Sequence, residues 1–93
     1  MFKIPQPNLI ESDEGFSVEV LGWTGLIYKE GPKQMRIDSE VLASPGGIMI
    51  IRSSIRKWEP PYDNESLDEN QCDAILENIR RTFRFKGEWI NHK

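Results

Sequence analysis

Ninety-three residues, 38% of them hydrophobic and 29% charged, with a net charge of -3, describe one ordinary globular domain spanning residues 1–93. A chain of this size leaves little room for a deep catalytic cleft, and its acidic balance argues against a general nucleic-acid binder, which carries a basic excess. A single cysteine, Cys72, and a single histidine, His92, exclude an internal disulfide and a Cys/His zinc cluster. No metal or other cofactor is expected, and a reducing cytoplasm suits the cysteine usage best.

The N-terminal stretch Met1-Phe2-Lys3-Ile4-Pro5-Gln6-Pro7 contains no apolar run of signal-peptide length. No segment approaches the length of a membrane span, so no membrane partner is expected. Pro5, Pro7 and the acidic turn Ser12-Asp13-Glu14-Gly15 frame a short apolar piece at Leu9-Ile10, which reads as an extended arm or edge strand. Phe16, Val18 and Val20 alternate with Ser17, Glu19 and Leu21, the period-2 pattern of a half-buried strand that Gly22 ends. Thr24 to Glu30 reads as its neighbour, and Gly31-Pro32 turns the chain into a third strand with Met35, Ile37 and Ser39 on one face, running toward Leu42. Ser44-Pro45-Gly46-Gly47 turns it again. The apolar run Ile48-Met49-Ile50-Ile51 then suits a strand in the middle of the sheet, continuing with a bulge toward Trp58.

Pro60 and Pro61 stop that run, because each fixes φ and removes a backbone donor, and they press Glu59 and Pro60 into extended geometry. A helix follows. Ser66 is the expected N-cap, with Glu69 completing a capping box and Asp68 and Glu69 both favourable to the helix dipole. Cys72, Ile75, Leu76, Ile79 and Phe83 fall at the spacing of one buried face, with Asp73, Glu77, Asn78, Arg80 and Arg81 turned outward. Gly87 is a natural stop, and Glu88-Trp89-Ile90-Asn91 reads as a short returning strand. The expected architecture is α+β: an antiparallel sheet of about 4–6 strands with one C-terminal amphipathic helix packed on one face. The opposite face must then be polar and wet, curl over its own residues, or be covered by a second copy or a foreign partner, so a homodimer stays open.

No catalytic set can be assembled, and the chain is not expected to be an enzyme. His92 stands next to the C-terminal residue, where a general base would lack support, and Cys72 sits on the apolar face of the helix, where free cysteine behaves as a small hydrophobe. Glu59 with Asp63 makes a carboxylate pair of the kind usually found simply solvated. Gly46-Gly47 lacks the lysine of a phosphate loop, and Asp63-Asn64-Glu65 with Asp68 and Glu69 lacks the glycine and ligand spacing of a calcium loop. Arg52, Arg56 and Lys57 beside Trp58 make a basic patch with an aromatic, the minimum for single-stranded nucleic acid, which the overall charge disfavours.

The segment from Trp58 to Glu65 carries two readings. In one, Trp58 packs under the helix while Pro60 and Pro61 orient the chain. In the other, Glu59, Tyr62, Asp63 and Glu65, continued by Asp68, form a pre-ordered acidic and aromatic surface that docks a basic protein at small entropic cost. Structure is the favoured reading for Trp58, Pro60 and Pro61, and binding for the carboxylates. Between Glu59 and Asp73 six carboxylates occur without a lysine or arginine, whereas Arg80, Arg81, Arg84 and Lys86 crowd the end of the helix.

The run Ser53-Ser54-Ile55-Arg56-Lys57-Trp58-Glu59-Pro60-Pro61, followed by the helix with Ile75, Ile79 and Phe83 and then Gly87, resembles the core pattern of immunity proteins from bacterial polymorphic-toxin and contact-dependent growth-inhibition systems. The likeness covers about the last half of the chain. It implies a cytoplasmic antidote that binds a cognate toxin domain, often a nuclease, and blocks its active site or a nearby surface. Trp58, Pro60 and Pro61 match the pattern as candidate fold determinants. Such families vary their contact residues, so the resemblance assigns no toxin-contact position. The alternative is a small structural or homodimerising domain without a toxin partner.

Overall fold

The computed structural model describes residues 2–22, 24–41, 48–86 and 90–92 of the chain. Seven strands form one sheet in strict sequence order: β1 (Phe2–Gln6), β2 (Leu9–Ser12), β3 (Phe16–Val20), β4 (Thr24–Glu30), β5 (Lys33–Val41), β6 (Ile48–Ile50) and β7 (Ile90–His92). The helix α1 (Glu69–Lys86) stands between the last two. Neighbours from β1 to β6 are antiparallel, and β7 returns parallel to β6 because a whole helix lies between them. The α+β plan with one helix on one face is therefore the observed architecture.

Short, tight connections impose the meander. Gly31 takes φ +62 at the first central position of the two-residue link between β4 and β5, the geometry a two-residue hairpin needs and one that Pro32 after it tolerates. Gly25 takes φ +90 where the β4–β5 register shifts between Thr24 and Leu26, and its N–H donates to the buried Ser39 hydroxyl at 3.0 Å. The Arg36 guanidinium lies so close to Gly25 that an added Cβ would sit 2.9 Å from its terminal nitrogen. Glycine is thus required there by backbone conformation, whereas the flexible end of the exposed Arg36 side chain yields at little cost.

Alternation sends Phe16 and Val18, Leu26 and Tyr28, Met35 and Ile37, and Ile48 and Ile50 to one face, where all are buried. Across them lies α1, contributing Cys72, Ile75, Leu76, Ile79 and Phe83. Near its N-terminus, Cys72 Sγ donates to the Ile55 carbonyl at 3.4 Å, and Arg52 pairs with Asp73 at 2.6 Å. Toward the other end Arg81 pairs with Glu14, and Phe85 packs its ring 5.3 Å from Phe2. The helix therefore spans the sheet from the region after β6 to the β1 edge. The opposite face carries Lys3, Glu11, Ser17, Glu19, Lys29, Arg36, Asp38 and Glu40 and is largely polar, which is why one helix is cover enough.

Several local expectations need correction. The N-terminal arm is two paired strands, β1 and β2, with Pro5 on the outermost one, where a missing donor does no harm. Sheet order puts β4 in the middle and β6 beside the last strand. The strand beginning at Ile48 does not run on to Trp58: it stops at Ile50, and Arg52–Ser54 forms a 3-10 turn. Ser54 explains the break. Its hydroxyl donates to the Ile51 carbonyl at 2.6 Å and accepts the Asp38 N–H at 2.9 Å, replacing ladder bonds with side-chain ones.

The helix cap is Asp68, not Ser66. The Gln71 N–H donates to Asp68 Oδ1 at 2.7 Å and the Asp68 N–H donates to Gln71 Oε1 at 3.0 Å, a reciprocal box with an acidic cap. Ser66 is instead held in an antiparallel bridge to Lys57. The expected turn at Ser44-Pro45-Gly46-Gly47, and Gly87 to Trp89, lie outside the described residues.

Candidate functional site

The junction between the sheet and α1 is an elbow built on Trp58. That side chain is 5% exposed and stacks on Tyr28 with ring centroids 6.2 Å apart. Tyr28 is itself fully buried, its hydroxyl donating to Glu30 Oε1 at 2.7 Å and accepting from Asn78 Nδ2 at 2.9 Å. Burial pushes the Tyr28 phenol well above its ordinary value, a shift that the Glu30 bond reinforces and the Asn78 bond opposes. A continuous stack of sheet, aromatic rings and helix thus underlies the elbow.

Beyond Trp58 the chain is fastened bond by bond. The Glu59 N–H donates to the Gln34 carbonyl at 2.8 Å, tying the entrance of the elbow to β5. The peptide bond between Pro60 and Pro61 is cis, and the turn around it closes with the Tyr62 N–H donating to the Glu59 carbonyl at 3.0 Å. A second turn follows at once, the Glu65 N–H donating to the Tyr62 carbonyl at 3.1 Å. Lys33, at the start of β5, reaches into this double turn: Nζ contacts Glu65 Oε1 at 2.6 Å and lies 5.5 Å from the Tyr62 ring centre and 5.9 Å from that of Trp58.

Trp58, Pro60 and Pro61 accordingly form the root and bend of the elbow, with Trp58 buried and both prolines exposed. Glu59 is half-buried beside Gln34 Nε2, which lies 3.4 Å from Oε1. Tyr62 is half-buried against the core with the lysine above it. Glu65 is exposed but paired with Lys33, and Asp68 is spent on capping the helix. Asp63, exposed at the tip, belongs to none of the ion pairs among the described residues. The acidic block is thus partly neutralised by its own fold, since Arg52 also claims Asp73.

Lys33, Gln34 and Asn78 had no assigned role in the sequence, yet they hold the site together. Lys33 and Glu65 are 32 positions apart, and Asn78 and Tyr28 are 50 apart, so no local spacing announces either contact. Helical period puts Asn78 on the outward face. It is half-buried because it borders the stripe and Tyr28 offers a hydroxyl there.

Candidate chemistry elsewhere takes structural places. Cys72 is buried, and the backbone of His92 pairs with Ile50 in β7. No group of three His, Cys, Asp or Glu among the described residues is arranged to hold a metal ion, and no helix among them is long and apolar enough to cross a membrane.

No curated protein and no solved structure matched the chain. A family model did, and it covers β4, β5, the elbow and the whole of α1, the elements that build and brace the site. Residues 24–91 match Immunity protein 74, and the chain belongs to that family of immunity proteins of polymorphic toxin systems.

Proposed function

We propose that the chain neutralises its cognate toxin domain by direct contact, without catalysis, docking through the elbow formed by Glu59, Tyr62, Asp63 and Glu65 with Asp68 at its lower rim. One observation carries the proposal. The elbow is pinned at both ends, by Glu59 N–H on Gln34 and by Lys33 on Glu65, while Asp63, exposed at its tip, enters no ion pair among the described residues. A surface already ordered in this way loses little freedom on binding, which favours affinity.

The toxin we propose is a nuclease, whose substrate-binding surface is basic and complements an acidic tip. The setting is the bacterial cytoplasm, within a contact-dependent inhibition system. A homodimer is the second reading, and the exposed Ile4 of β1 and Phe85, packed on Phe2, are apolar groups on which it can build.

The test is co-expression with the toxin domain encoded by the adjoining reading frame. The unmodified chain is expected to co-purify with that domain and protect the cells. An E59Q/D63N/E65Q variant is expected to slow association roughly tenfold at low salt, since rim charges act mainly on encounter. Unchanged association and unchanged protection in that variant would remove the elbow from the interface.

A further inference from the structure

Beside the elbow lies a shallow groove lined by Arg36, Ser54, Arg56, Lys57, Glu59 and Asp63. It exists because residues 51–59 run alongside β5 and pair with it only at two places. At one, the Ile51 N–H donates to the Asp38 carbonyl at 2.9 Å and the Asp38 N–H donates to Ser54 Oγ at 2.9 Å. At the other, the Glu59 N–H donates to the Gln34 carbonyl at 2.8 Å. Backbone groups of a strand alternate in direction, so the N–H and C=O of Arg36, midway between those anchors, point the same way. Among the described residues no hydrogen bond reaches them there.

The charges around this gap are equally unmet. Arg36, Arg56 and Lys57 are exposed and take part in none of the ion pairs among the described residues, whereas Arg52, the other cation of the sequence patch, is bound to Asp73. Free cations at Arg56 and Lys57, with Arg36 lining the groove while its guanidinium rests over Gly25 of β4, stand beside an unpaired piece of strand edge and suit a ligand that offers carboxylates and an extended backbone together. Nucleic acid fits poorly. Trp58, the aromatic on which a base would stack, is 5% exposed and already occupied by Tyr28. Glu59 and Asp63 in the same groove also repel a continuous polyanion, yet accept the neutral or basic neighbours of an isolated acidic side chain.

We propose that this groove receives an acidic peptide segment of the toxin, a proposal that rests on the docking function above. The elbow and the groove then form one interface of two signs, which fixes the orientation of the partner as well as attracting it.

Two measurements test this. In the first, R36Q/R56Q/K57Q is compared with E59Q/D63N/E65Q in binding to the toxin domain of the adjoining reading frame, with circular dichroism confirming that each variant is folded. The cationic triple variant is expected to bind at least roughly tenfold more weakly at low salt and with a shallower salt dependence, and R56E/K57E more weakly still. Full affinity in both cationic variants overturns the proposal. If E59Q/D63N/E65Q alone loses affinity, the elbow survives and the groove does not; loss confined to the cationic variants upholds the groove and removes the elbow. In the second, amide resonances are followed while a peptide with isolated glutamates between serines and a lysine (Ser-Glu-Ser-Lys-Ser-Glu-Ser) or oligothymidylate is added. Shifts at Arg36, Arg56 and Lys57 with that peptide are expected, and a response to oligothymidylate alone refutes the peptide assignment in favour of nucleic acid.

Discussion

Replacing Trp58 with alanine separates the two roles open to the most prominent side chain of the elbow. At 5% exposure, stacked on Tyr28 at 6.2 Å, Trp58 belongs to the core and not to the surface above it. An aromatic side chain buries roughly 150–250 Å². At about 25 cal/mol per Å², its removal forfeits about 4–6 kcal/mol, close to the roughly 3–5 kcal/mol typical of Trp or Phe to Ala in a core. A domain of this length has a total stability of about 5–14 kcal/mol, so W58A removes a large share of it. The urea midpoint, followed by far-ultraviolet circular dichroism, is expected to fall by at least about 1 M. W58F keeps a ring on Tyr28 and is expected to lose only about 1–2 kcal/mol. A W58A midpoint equal to that of the unmodified chain refutes the argument. If toxin binding fell at the same time, Trp58 would be a contact residue and the elbow would be braced by something else.

Three further outcomes follow from other contacts. D68A is expected to lose about 1 kcal/mol in urea titration, because the Gln71 N–H loses the carboxylate that caps it, while S66A stays within about 0.5 kcal/mol; the reverse order would return the cap to Ser66. Y28F removes the hydroxyl shared by Glu30 and Asn78 and is expected to cost about 1–3 kcal/mol at neutral pH. Folded Tyr28 holds its proton more tightly than the unfolded residue does, whose ordinary value is 10.0, so its contribution is complete below that pH and is lost as pH rises beyond it. Alkaline unfolding is therefore expected to be less steep in Y28F, and equal steepness above pH 10.0 counts against the buried phenol. The hydrogen bond from Arg81 holds the Glu14 carboxyl below its ordinary 4.5, so that pair stabilises the fold above this pH and ceases to do so as pH falls through the lower folded value. E14Q is expected to flatten this part of the acid unfolding curve, and R81Q to do the same; a curve unaltered by either variant excludes the pair as a source of acid sensitivity.

Period and punctuation carried most of the architecture. Alternation at Phe16, Val18 and Val20, the Gly31-Pro32 turn and the apolar stripe from Cys72 to Phe83 all depend on neighbours within a few positions, and all stand where a local reading puts them. The bend at Pro60 and Pro61 is local for the same reason, since a missing donor and a fixed φ act on their own stretch of chain. The departures share a different cause. Ser54 ended a strand because Asp38 lay across from it, and Asp68 displaced Ser66 as cap because Ser66 was taken into a bridge with Lys57. Asn78 turned inward because a tyrosine hydroxyl lay beneath it.

The candidate site divides along the same line. Residue type and order alone determined that a stiff acidic elbow stands between a sheet and a capped amphipathic helix, because proline geometry, charge and helical period are properties of adjacent residues. Only the tertiary structure decided which of its charges remain available. Glu65, Asp73 and Asp68 are engaged by Lys33, Arg52 and the first turn of the helix, whereas Asp63 and the cations at Arg36, Arg56 and Lys57 enter no ion pair among the described residues. Compensation of a charge depends on distance in space, and folding sets that distance by bringing together residues far apart in the chain.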